Sequence, residues 1–144
     1  MEALSESEKE VFRGSFVKFL SKEVLPFYDD WESQGIWPRD LWRRLGEAGF
    51  LCLDQPAEYG GYGASFELSC IVVHEIAKAG LGALATGVSV HSDIVAPYIL
   101  RLGSEEQKHR MLPKMVAGEI VGAIAMTEPG AGSDLQGIST SAIR

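Results

Sequence analysis

The sequence predicts an all-α fold, an up-and-down bundle of about five helices that ends in a short extended segment. Three observations lead there. Apolar residues recur at three- and four-residue steps through most of positions 1–118. Pro26, Pro38, Gly49, Gly103 and Gly118 fall at the ends of those runs, where chain reversals belong. After Gly118 the helical period gives way to a short unbroken apolar run.

Each element has its own local reason. In residues 6–25, Val11, Phe12, Phe16, Phe19, Leu20 and Val24 repeat with a helical period, and Pro26 ends or redirects the helix. A second helix starts near Pro38, whose fixed φ suits a first turn. It carries Leu41, Trp42, Leu45 and Ala48, and Gly49 caps its C-terminus. Residues 51–64 form a loop rich in Gly, Pro and Tyr. A third helix over residues 65–79 aligns Leu68, Ile71, Val72, Glu75 and Ile76. The fourth segment, residues 81–102, is dense in Gly, Ala and Ser, so a neighbouring helix or a ligand can approach it closely. Pro97 inside it predicts a kink or a break, and Gly103 ends it. Ser104 and Gln107 make a capping-box pattern for a fifth helix that runs to about Ala117. Residues 120–126 read as a buried extended segment. The change at Gly118 divides the chain into a helical domain, residues 1–118, and the start of a second domain, residues 119–144, which Arg144 leaves unfinished.

Composition narrows the function classes. With 144 residues and 46% hydrophobic content, the chain builds a real core. Thirteen basic against 20 acidic residues give a net charge of −7, which argues against a nucleic-acid partner. The two cysteines, Cys52 and Cys70, lack metal-ligand spacing and read as buried small hydrophobes in a reducing compartment. The acidic stretch 1–10 lacks the apolar core of a signal peptide, and no stretch reads as long and apolar enough to span a bilayer.

The densest chemical signal is the run from Ala123 through Thr127-Glu128-Pro129-Gly130-Ala131-Gly132-Ser133-Asp134. Glycine allows close approach of a backbone to a ligand, and successive amide N–H groups can converge on an electron-rich group. A Walker loop requires Lys and Ser/Thr after its last glycine, which Ser133-Asp134 does not supply. A dinucleotide fingerprint requires a third glycine where Leu135 stands. Two readings remain from the residues alone: a tight turn between packed segments, or amide and hydroxyl donors around a flat or anionic cofactor edge.

The run Ala125-Met126-Thr127-Glu128-Pro129-Gly130-Ala131-Gly132-Ser133-Asp134-Leu135-Gln136-Gly137 resembles the flavin-binding signature of the acyl-CoA dehydrogenases. The loop Pro56-Ala57-Glu58-Tyr59-Gly60-Gly61-Tyr62-Gly63 resembles that family's helix-connecting loop. Gly103-Ser104-Glu105-Glu106-Gln107-Lys108, Leu112-Pro113 and Ala117-Gly118-Glu119 resemble the segment before the signature. Nearly the whole chain takes part, in the same order. The wording over residues 124–138 looks most like that of long-chain members.

The resemblance implies an N-terminal helical domain and the entry to a middle β domain. It implies FAD as cofactor and an acyl-CoA thioester as substrate, oxidised to the trans-2-enoyl-CoA. Ile124, Met126, Thr127, Gly132 and Ser133 would line the flavin, with the Thr127 hydroxyl at the ring, and Ser133 would also meet the acyl-CoA. No catalytic residue is assigned within the chain, because the family's base lies far downstream, past Arg144. Expected partners are an electron-transfer flavoprotein and further copies of the protein, in a dimer or tetramer, in a mitochondrial matrix or a bacterial cytoplasm. Glu128 and Asp134 are expected to be structural, holding loop amides. His74, His91 and His109 show no metal spacing; His91 reads as a core histidine ahead of one bordering a substrate channel. Tyr59 and Tyr62 shape an acyl pocket or, more plainly, pack with their hydroxyls in water. The competing function is a non-catalytic helical module that associates through an exposed face, the chain alone being inactive.

Overall fold

The structure, a computed structural model, describes residues 4–143. The helical prediction holds, and the described residues form no β-strand. Helix α1 (Glu6–Glu23) opens with a capping box in which the Ser5 Oγ accepts the Glu8 amide at 3.3 Å and the Glu8 carboxylate accepts the Ser5 amide at 2.8 Å. A 3-10 turn, Leu25–Phe27, places Pro26 where a helix start tolerates it. It leads into α2 (Tyr28–Gln34), a short helix absent from the sequence reading, which Gly35 ends in the left-handed conformation. Helix α3 (Arg39–Glu47) takes Pro38 as its N-cap residue, one position before the predicted first turn.

Helix α4 (Phe66–Lys78) buries Leu68, Ile71, Val72 and Ile76, the face its period predicts. It packs chiefly on α1 and on α5 (Gly82–Leu102), the central helix. Pro97 does not break α5. A π-helical turn, Val90–Val95, precedes it, a local widening that accommodates a missing N–H donor. Helix α6 (Glu105–Val116) opens with the predicted Ser104–Gln107 capping box and packs on the C-terminal part of α5.

The core runs continuously from Phe16 and Leu20 through Leu41, Leu45, Leu51, Ile76 and Leu84 to Leu112 and Met115. Phe50 forms its aromatic centre, with edge contacts to Phe12, Phe16 and Phe19 at ring separations of 5.6, 4.7 and 5.4 Å. Ion pairs tie α1 to its neighbours, and the most buried acid among them is Glu75 of α4, 5% exposed, whose carboxylate meets the Arg13 guanidinium.

Two expectations are corrected, and a third is weighed. Cys70 lies exposed on α4, because the helical period turns it off the face of Leu68 and Ile71; Cys52 is buried, and burial pushes its thiol up to about 12. Residues 120–126 are extended but only their first part is covered: Ile120, Val121 and Gly122 are half-buried and residues 123–127 are exposed. The apolar run has only one face against the bundle. Finally, α5 passes a simple length and hydropathy test for a membrane span, with mean hydropathy 1.2 over its best window. Its buried stripe of Leu84, Val88, His91 and Ala96, together with the acid Asp93, reads instead as a core helix.

Candidate functional site

The glycine-rich loop hangs from the C-terminal end of α6. Gly118 reverses the chain at φ +69°, and the amides of Glu119 and Ile120 both donate to the Lys114 carbonyl, at 2.9 and 3.1 Å. The chain then runs extended over the bundle. Its Gly122 amide donates to Nδ1 of His91 at 3.0 Å, and Nε2 of the same ring donates to the Met115 carbonyl at 3.1 Å. His91 is fully buried, with the Trp42 ring edge-on at 5.3 Å. The core reading of this histidine therefore holds, and burial keeps its pKa below the ordinary 6.5.

Beyond Met126 the loop is built on its own backbone and one carboxylate. The Glu128 amide donates to the Ala131 carbonyl at 3.1 Å and the Ala131 amide returns a bond to the Glu128 carbonyl at 2.9 Å. Ala131 is buried beneath this small turn. The Glu128 carboxylate accepts from both the amide and the hydroxyl of Ser139 and of Thr140. The Thr140 hydroxyl foremost, then the Ser139 amide, hold its pKa below the usual 4.5. Asp134 Oδ1 accepts the Gln136 amide at 3.1 Å, a local Asx turn. Both acids are thus structural, as the sequence indicates. The partners of Glu128 were not legible there, because Ser139 and Thr140 are ordinary hydroxyl residues at the far end of the loop.

Clamped in this way, the loop carries Thr127 and Ser133 on its exposed surface. Gly132 between them has open space around it. Ile124, Met126, Leu135 and Ile138 are 37, 46, 48 and 44% exposed. The five residues singled out from the sequence therefore lie on one solvent-facing stretch of loop, an arrangement of hydroxyls, open glycine backbone and apolar side chains that suits the edge of a flat polar ring.

Other candidates go elsewhere. An apolar cleft of about 730 Å³ lies between α1, the 49–53 turn and the start of α4, lined by Phe12, Phe50, Leu53, Tyr62 and Leu68 and by none of the five loop residues. Tyr59 is buried and its hydroxyl donates to Glu105 at 3.0 Å, so it staples the 57–59 turn to α6; Tyr62 is exposed and borders the cleft. His74 is exposed next to Glu75, and the His109 ring packs on Tyr59 at 5.1 Å. No trio of His, Cys, Asp or Glu among the described residues is placed to hold a metal.

Comparison with known proteins bears on this geometry. Residues 6–119 match the model of the acyl-CoA dehydrogenase N-terminal domain. The chain is 44% identical over 138 residues to the rat (Rattus norvegicus) mitochondrial long-chain specific acyl-CoA dehydrogenase, covering 96% of this chain and 32% of that protein. Its structure superposes on the acyl-CoA dehydrogenase of Geobacillus kaustophilus with a TM-score of 0.86 and 51% identity, covering 94% of this chain and 35% of that one. It superposes with a TM-score of 0.81 and 34% identity on the Bacillus anthracis acyl-CoA dehydrogenase solved with FAD, covering 94% and 23%. The chain thus spans about a third of the length of the curated relatives it matches. It belongs to the acyl-CoA dehydrogenase family, and its helical bundle is built as that family's N-terminal domain.

Proposed function

We propose that this chain is the N-terminal part of a flavin-dependent acyl-CoA dehydrogenase, which oxidises an acyl-CoA thioester to the trans-2-enoyl-CoA. The observation that carries the proposal is the exposed presentation of Thr127, Gly132 and Ser133 on a loop held by the Glu128 clamp on Ser139 and Thr140. Bound FAD supplies the acceptor for the hydride that leaves the β carbon. The chain's own residues bind and orient. Thr127 and Ser133 would offer hydroxyl donors to the flavin, the Gly132 backbone would let the ring approach closely, and the backbone of Ile124 and Met126 would line it. Ser133 would also meet the acyl-CoA. Donors fixed in advance stabilise charge that develops on the flavin without reorganising at the moment of reaction. The proton-accepting carboxylate is assigned outside residues 1–144.

An electron-transfer flavoprotein is the proposed acceptor, and self-association into dimers or tetramers the proposed assembly. A mitochondrial matrix or a bacterial cytoplasm is the proposed location. The boundary near residue 118 is proposed as the passage from the helical domain to a β domain.

The test is to purify the protein carrying this chain, assay it for FAD, and add acyl-CoA without oxygen. Stoichiometric FAD bleached by acyl-CoA is the expected result. A colourless protein inert toward acyl-CoA removes the enzyme reading. A second reading has one observation in its favour, the exposed apolar side chains of Ile124, Met126, Leu135 and Ile138. It makes the chain a non-catalytic association module, and a colourless protein that sediments as a multimer supports it.

A further inference from the structure

We propose that His91 is a positioning residue for the glycine-rich loop: from the π-helical turn of α5 it grips the backbone at Gly122 and so sets where Thr127 stands. This role rests on the flavin reading above.

Three observations converge on Gly122. First, the Gly122 amide donates to His91 Nδ1 at 3.0 Å, while Nε2 faces the Met115 carbonyl at 3.1 Å. A carbonyl can only accept and an amide can only donate, so the ring is neutral, with its proton on Nε2. A neutral imidazole buried this deeply needs a partner for each nitrogen, and the bundle supplies only the one at Nε2. The bond at Nδ1 reaches out to the departing chain. Second, a Cβ on Gly122 would lie 2.8 Å from Cγ1 of Val95 and 3.1 Å from Cε of Met115. Val95 stands four residues from His91, so the two ends of one π-helical turn close on the same glycine. π turns inserted in α-helices recur at functional positions. Third, Gly122 is the end of the covered stretch, since residues 123–127 are exposed. Among the described residues no hydrogen bond ties residues 123–127 to the bundle, so the bond at Gly122 is the last such tie before Thr127 and its direction propagates to the hydroxyl.

The two ring nitrogens can be separated by substitution. A glutamine side chain can place its amide near Nε2 and keep the bond to Met115, while losing the acceptor for Gly122. An asparagine places its carbonyl near Nδ1 and does the reverse. His91→Gln and His91→Asn are prepared in the protein carrying this chain. Three quantities are then read: thermal unfolding, amide hydrogen exchange of the peptide containing Gly122 in the FAD-stripped form, and the FAD dissociation constant from recovery of flavin fluorescence. Both variants are expected to unfold at lower temperature than wild type. Only His91→Gln is expected to exchange the Gly122 amide about tenfold faster and to bind FAD about tenfold more weakly, the scale of one hydrogen bond. His91→Asn is expected to restore most of both. Equal FAD affinity in the two variants overturns the positioning role, and so does unchanged exchange at Gly122 in His91→Gln. A wild-type protein that takes up no FAD overturns the flavin reading itself, and with it this role, a result distinct from FAD bound equally by all three.

Discussion

Gly118 lies flat against the backbone of Trp42, so closely that a Cβ would stand 2.0 Å from the Trp42 carbonyl oxygen. The same residue has φ +69° and ends α6. Two independent demands, space and handedness, therefore select glycine where the chain leaves the bundle. Gly118→Ala is expected to destabilise the fold by about 3 kcal/mol, combining left-handed strain with a backbone clash. Denaturant unfolding measures this; a loss under about 0.5 kcal/mol, as at an ordinary surface position, contradicts it.

Arg13 answers a buried acid. Burial alone would raise the pKa of Glu75, but the Arg13 guanidinium and neighbouring His74 and Lys78 hold it below the ordinary 4.5. A carboxylate lowered in the folded state contributes stability that is present above about pH 4.5 and is lost as pH falls through its folded value. Arg13→Met removes the principal partner and leaves the charge beneath α1. The variant is expected to be less stable than wild type at pH 7, by less than for a wholly buried pair because Arg13 is partly exposed. The pH dependence is expected to reverse: the variant grows relatively more stable between pH 7 and 5 while wild type does not. Parallel stability profiles for the two proteins sink this account.

The helices were legible because burial and period coincide. Phe16, Leu20, Leu41, Leu45, Leu68 and Ile76 are all buried on the faces their spacing marks. What escaped has physical reasons. Helix α2 buries none of its residues fully, so no period announces it. The π turn of α5 has no sequence signature beyond the Pro97 that follows it. Thr127 and Ser133 were legible through the motif around them, not through any property of a lone hydroxyl. His91 could be placed in the core but not connected to Gly122, because that bond crosses from α5 to a segment folded by nothing local.

Glu128 holds the two ends of the loop through Ser139 and Thr140. Its pKa is lowered by those donors, so the clamp is complete above about pH 4.5 and is lost as pH falls through the lower folded value. Glu128→Gln removes the charge that strengthens these bonds. Cleavage within residues 129–138 by a protease is expected to accelerate several-fold, with helical content and unfolding temperature nearly unchanged because the loop lies outside the core. Equal cleavage of variant and wild type at neutral pH contradicts the clamp.

Thr127→Val tests the proposed contact with the ring at its narrowest point. Valine matches threonine in shape and replaces the hydroxyl by a methyl group, so it removes a donor and little else. The position is exposed, and the helical bundle is expected to melt as in wild type. If the hydroxyl faces the flavin, it counts for most as charge builds there, and the rate of flavin reduction by acyl-CoA falls by about tenfold or more. FAD affinity should change less, since the remaining cradle still binds the resting ring. Stopped-flow reduction with acyl-CoA in excess separates the two. A reduction rate equal to wild type, with FAD fully bound, removes Thr127 from the flavin site and returns the loop to the plainer reading of a tight turn.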